Sequence, residues 1–108
     1  MAELNTDGAP MTFELVSADD GSEVVKVTGE LDITSIDDLD EAVQPILDRD
    51  PERLVIDAAS LRFADSSAIA MWVKWSTAVG RLEIRDPSPL LRRVIDSMGL
   101  AQTLWVTP

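Results

Sequence analysis

The sequence predicts an α/β fold: a mostly parallel sheet with an antiparallel N-terminal strand and about three packed helices. Three observations predict it. From about Glu23 onward, strand-type and helix-type apolar patterns alternate, and that alternation implies β-α-β units with right-handed crossovers. The first two strand-type segments are separated only by Asp19-Asp20-Gly21-Ser22, a turn too short for anything but an antiparallel pair. The 108 residues contain no internal repeat, linker or low-complexity block, so one domain is expected, over residues 11–108.

Each element follows in order. Residues 1–10 read as a flexible tail without the basic and apolar regions of a secretory signal. T-F-E-L-V, Thr12 to Val16, alternates as a strand does. E-V-V-K-V-T-G-E-L, Glu23 to Leu31, is the second strand. Ile36, Leu39, Val43, Ile46 and Leu47 then recur at helical spacing. Thr34 or Ser35 can cap that helix, Asp37 and Asp38 suit its positive end, and Pro45 should kink it or end it early. R-L-V-I-D, Arg53 to Asp57, is a compact buried strand, with A-A-S-L-R-F-A as a short loop. Ser66 to Val79 is helical, with Gly80 as its C-cap. R-L-E-I-R, Arg81 to Arg85, is a strand. Ser88 caps a last helix with Pro89 at its first position, where the missing N–H costs nothing. Its inner stripe is Leu90, Leu91, Val94, Ile95 and Met98, and Gly99 ends it. Leu104-Trp105-Val106 is a short final strand.

Composition removes several classes of function. Twenty acids against nine bases give a net charge of −11, which phosphate backbones and anionic lipid surfaces repel. Nucleic-acid binding is not expected. No apolar run is long enough to span a bilayer, so no membrane insertion is expected, and a cytoplasmic location fits the absence of cysteine. Without histidine, a Ser-His-Asp triad cannot be assembled within the chain. Without histidine or cysteine an ordinary zinc site is not expected, and no cofactor is implied. Asp19-Asp20-Gly21-Ser22 reads as a hairpin turn rather than a calcium loop.

The segment F-A-D-S-S-A, Phe63 to Ala68, stands where ligands and partners meet such folds, at the carboxyl end of a strand. The Asp32 loop lies at the same edge. Asp65 is a good helix cap, and a cap alone needs no function. A nucleophile reading fails on the missing base and on the absence of G-x-S-x-G and S-x-x-K. A phosphoacceptor needs less, because a partner kinase supplies base, metal and nucleotide. The first turn of a helix also tolerates the added phosphate, since free N–H groups face it.

V-T-G-E-L-D (Val27 to Asp32), L-V-I-D (Leu54 to Asp57), F-A-D-S-S-A and D-P-S-P-L-L-R-R-V-I-D-S-M-G-L (Asp86 to Leu100) occur in the order of STAS domains. The chain resembles a bacterial anti-sigma factor antagonist over about residues 12–106. That resemblance implies a stress-response transcription regulator, not an enzyme. Its dephosphorylated form binds an anti-sigma factor that is also a serine kinase and so frees sigma. Phosphorylation of Ser67 ends binding, and a PP2C-type phosphatase resets the switch. Asp32, Asp65, Ser66, Ser67 and Ala68 fall at the partner surface by the same resemblance. The family usually carries glycine where this chain has Ala68 and Ala70. The alternative is a non-phosphorylated STAS scaffold subunit of a transporter or lipid-trafficking complex.

The helix after Ser67 is apolar nearly all round. Ile69, Trp72, Val73, Ser76 and Val79 share one side, with Met71, Trp75 and Ala78 roughly opposite. Either the second side packs under a neighbouring helix, or Met71 and Trp75 are exposed anchors for a partner or for a homodimer.

Overall fold

Alternation of inward and outward side chains sets the sheet. In the computed structural model, which describes residues 10–107, strands β1 (Thr12–Ser17) and β2 (Glu23–Leu31) form the antiparallel pair. Most of the expected N-terminal tail, residues 1–9, lies outside the described residues. Helix α1 (Ile36–Leu47), strand β3 (Arg53–Ala64), helix α2 (Ser66–Ser76), strand β4 (Arg81–Arg85), helix α3 (Pro89–Ser97) and strand β5 (Trp105–Thr107) follow. The sheet order is β1-β2-β3-β4-β5, with β2 through β5 parallel.

Strand order that follows chain order, joined by right-handed crossovers, carries every helix to one face of the sheet. Burial agrees. Val25 and Val27 of β2, Leu54 and Ile56 of β3, and Leu82 and Ile84 of β4 share a core with Leu39, Val43 and Ile46 of α1. Ile69 and Trp72 of α2 and Leu91 and Ile95 of α3 complete that core. The alternate residues of the same strands, Lys26, Asp57 and Arg85 among them, point to the opposite face, which carries no helix among the described residues.

Several elements differ from expectation. The stretch expected as a loop after Asp57 continues β3 to Ala64. β2 is longer than β4 and would otherwise leave backbone groups unpaired. Thr28, Gly29, Glu30 and Leu31 of β2 therefore pair with Ser60, Leu61, Phe63 and Ala64 across two register shifts. α2 ends at Ser76 with Thr77 as C-cap, earlier than the expected Val79. The hydroxyls of Ser76 and Thr77 donate to the carbonyls of Val73 and Lys74, at 2.5 and 2.7 Å, a local competition that loosens a helix end. Gly80 is therefore no C-cap. It serves a close approach instead, since a Cβ there would lie 2.6 Å from the Glu52 carbonyl oxygen.

Ser35 stands at the N-cap of α1 but makes no capping bond. Pro45 lies inside α1, which ends two residues later. α3 begins as expected, with Ser88 Oγ accepting from Leu91 N at 3.1 Å and Pro89 in the first turn. Its stripe is narrower than expected: Leu91 and Ile95 are buried, whereas Leu90 and Met98 are exposed. Gly99, at φ +72°, closes α3. Its N–H reaches the Asp96 carbonyl and that of Leu100 reaches Ile95, the paired closure that favours glycine at this position.

Candidate functional site

The carboxyl ends of β2 and β3 lie side by side, so the loops after them meet. Asp65 joins them. Its N–H donates to the Leu31 carbonyl at 3.1 Å. One carboxylate oxygen accepts from Ala68 N at 3.1 Å, capping α2, and the other accepts from Ile33 N at 3.2 Å. The cap expected from sequence is present, and the same side chain also ties down the β2–α1 loop.

Asp32 organises that loop from within. Its Oδ1 accepts from Thr34 N at 2.9 Å and from the Thr34 hydroxyl at 2.6 Å. Those donors hold its carboxyl below the ordinary carboxylate value, the Thr34 hydroxyl most of all. Asp32 N donates to Ser35 Oγ at 3.1 Å, which is why Ser35 is not free to cap α1. Asp32 and Asp65 are both half-buried and aimed at backbone donors.

Ser66 and Ser67 open the first turn of α2, where backbone N–H groups have no helical acceptor. Ser66 is exposed and Ser67 half-buried. Ser67 borders an open recess of about 270 Å³ between α1 and α2, with Ile36, Asp37, Asp40, Ala70, Met71 and Lys74. Among the described residues, neither serine hydroxyl has a hydrogen-bond partner, although many other hydroxyls, such as Thr34 and Ser35, do.

Three expected surface residues are not at the surface. Ala68 is 0% exposed, with its methyl in the core and its N–H taken by Asp65. Met71 (7%) and Trp75 (0%) are buried rather than exposed anchors. α1 covers that side of α2, and Trp75 Nε1 donates to Asp40 Oδ1 across the helix pair at 2.7 Å. Exposed apolar groups near the serines come instead from residues not assigned from sequence: Ile33, 69% exposed, and Phe63, 48% exposed. The detectable signal was an apolar residue set among polar neighbours at each loop, in D-I-T and R-F-A-D.

This fold and this pair of joined loops define a STAS domain. A family model described as Mlab, STAS domain matches residues 14–107, and the chain belongs to that family. Among solved structures, an anti-sigma factor antagonist from Mycobacterium paratuberculosis is similar at 26% identity, with a TM-score of 0.83, over 92% of this chain and 86% of its own. The anti-sigma factor antagonist SpoIIAA in its unphosphorylated form is 20% identical, with a TM-score of 0.77, over 90% of this chain and 89% of its own. SpoIIAA of Bacillus in the phosphorylated form is also 20% identical, with a TM-score of 0.71, over 90% of this chain and 92% of its own. At that identity the two SpoIIAA structures bear on fold alone. No curated protein matches this chain. Among the described residues no helix is long and apolar enough to cross a membrane.

Proposed function

We propose that this chain is a cytoplasmic anti-sigma factor antagonist whose dephosphorylated form binds a serine-kinase anti-sigma factor, and that phosphate on Ser67 ends the binding. One observation carries the reading: the Ser67 hydroxyl, without a hydrogen-bond partner among the described residues, stands in the first turn of α2 beside an open recess. The 26% identical mycobacterial antagonist supports the same role. The chain has no histidine to activate a serine itself, so the base, metal and nucleotide come from the kinase. A PP2C-type phosphatase returns the protein to its binding form.

Phosphate would add about −1.5 to −2 charges beside Asp37, Asp40 and Asp65 in a chain of net charge −11. A penalty of about 3 kcal/mol at the interface lowers affinity about a hundredfold. Asp32 and Asp65 fix the loops around Ser67, and Ser66, Ile33 and Phe63 offer the neighbouring contact surface.

The test is phosphate transfer. Incubated with the serine-kinase anti-sigma factor of its own cell and ATP, the protein should gain one phosphate, mapped to Ser67 by mass spectrometry. Ser67→Ala should abolish transfer, and Ser67→Glu should weaken binding about a hundredfold. Alanine rather than glycine at positions 68 and 70 favours a second reading, a non-phosphorylated scaffold subunit of a transporter or lipid-trafficking complex. Absence of transfer, together with equal partner binding by wild type and Ser67→Glu, would select it.

A further inference from the structure

The face of the sheet that carries no helix among the described residues is chemically unlike the rest of the molecule. Four of the nine bases in the chain, Lys26, Arg53, Arg81 and Arg85, stand on it. Five acids share it among the described residues: Glu14, Asp20, Glu30, Asp57 and Glu83. It is thus close to neutral in a chain of net charge −11, and it is where a second acidic molecule meets the least repulsion.

Its charges fall into two sets. At one end, Glu83 is 4% exposed and satisfied within the chain by Arg53 and Arg81, at 2.5 and 3.0 Å. Arg81 also lies over the Trp105 ring, 5.1 Å from its centre. The second set is a row straight across the sheet. Glu14 is registered with Lys26, Lys26 with Asp57, and Asp57 with Arg85. The signs along β1, β2, β3 and β4 run minus, plus, minus, plus. Among the described residues no ion pair joins any two of these four.

Such a row is complementary to itself when reversed. A two-fold axis parallel to the strands, passing between β2 and β3, lays one sheet face on another with strand order inverted. Glu14 then meets Arg85 of the second copy, and Lys26 meets Asp57 of the second copy. Strands about 4.8 Å apart spread the four charges over about 14 Å. Sheets packed face to face rotate by about 30°, a displacement that long side chains at the row ends can span.

We infer that this face is the surface through which two copies of the chain associate, with the Glu14-Lys26-Asp57-Arg85 row as its register. The association leaves Ser67 free, because the recess beside it lies between α1 and α2, on the opposite side of the sheet. It is independent of whether Ser67 is phosphorylated.

Sedimentation equilibrium on the whole chain tests it. The wild type should self-associate, more weakly as salt rises. Lys26→Glu and Asp57→Lys should each weaken self-association tenfold or more. Mixed together, those two variants should associate with each other at near wild-type strength, because minus-minus-minus-plus meets its exact opposite when reversed. Thermal melting by circular dichroism confirms that each variant is folded. If either is not, Arg85→Glu and Glu14→Lys repeat the complementation at the outer pair. A wild type that stays monomeric to about 1 mM, or variants that fail to recover on mixing, would overturn the inference. So would self-association that survives both reversals but is lost in Leu15→Glu on the outer edge strand.

Discussion

Asp65 is held by both loops of the site, so its removal acts on both. Asp65→Ala takes away the α2 cap and the acceptor for Ile33 N. A lost cap costs about 1 kcal/mol and a second stranded contact adds a similar amount. Urea unfolding should show a loss of about 1–2 kcal/mol, and Asp65→Asn, which keeps an acceptor, should lose less. An unchanged midpoint for Asp65→Ala would mean that these bonds contribute nothing. Gly80 is the other single position with a sharp expectation. Its N–H donates to the Pro51 carbonyl, and a Cβ would meet Glu52 backbone at 2.6 Å. Backbone cannot give way as a side-chain tip does, so Gly80→Ala should cost about 1–3 kcal/mol, read as a lower melting temperature. A loss below about 0.5 kcal/mol would show that the approach relaxes freely.

α1 and α2 are joined by more than apolar contact. Asp40 Oδ1 accepts from Trp75 Nε1 and from Gln44 Nε2, so a fully buried indole depends on a residue of the other helix. Asp40→Ala leaves that N–H without an acceptor, and the expected cost is about 1–3 kcal/mol. Trp75→Phe removes the donor, so the double variant should fall short of the sum of the two singles. Strict additivity would show that the bond carries no coupling. This link explains why the nearly all-apolar α2 has no exposed anchor: α1 claims its second side. The sequence displayed both sides of α2, but the choice of cover belongs to the packing of α1. β3 teaches the same lesson. Its first five residues read as a strand from composition, while the extension to Ala64 exists because β2 offers a pairing edge that far. α3, by contrast, was legible at both ends, since Ser88, Pro89 and Gly99 act on their own backbone.

Across the whole molecule, acid should unfold the protein in a defined window. Arg53 beside Glu83, by hydrogen bond first, holds the Glu83 carboxyl below its ordinary value of 4.5. Hydrogen bonds from Ser22 and Thr34 lower Asp20 and Asp32 from 3.8. A carboxyl lowered in the folded state binds fewer protons there than in the unfolded chain. Its contribution is therefore complete above the ordinary value and is lost as pH falls through the lowered one. The melting temperature should be steady near neutrality and decline below about pH 4.5. Glu83→Gln should lower stability at neutral pH, by leaving Arg53 and Arg81 without their carboxylate, and should make the acid decline shallower. An identical slope in that variant would remove Glu83 from the account.

What the sequence by itself determined is local or additive. The alternation of strand and helix, the hairpin turn, the caps of α2 and α3, the acidic surface and the missing histidine depend on neighbours in the chain or on simple counting. Only the tertiary structure decided that β3 runs on beside β2, that Met71 and Trp75 lie inside, that Asp65 binds a loop more than thirty residues away, and that all three helices among the described residues pack on one face of the sheet. Each of these depends on which distant surface competes for the same side chain or backbone edge. Burial is a property of the partner as much as of the residue, and no local pattern carries the identity of that partner.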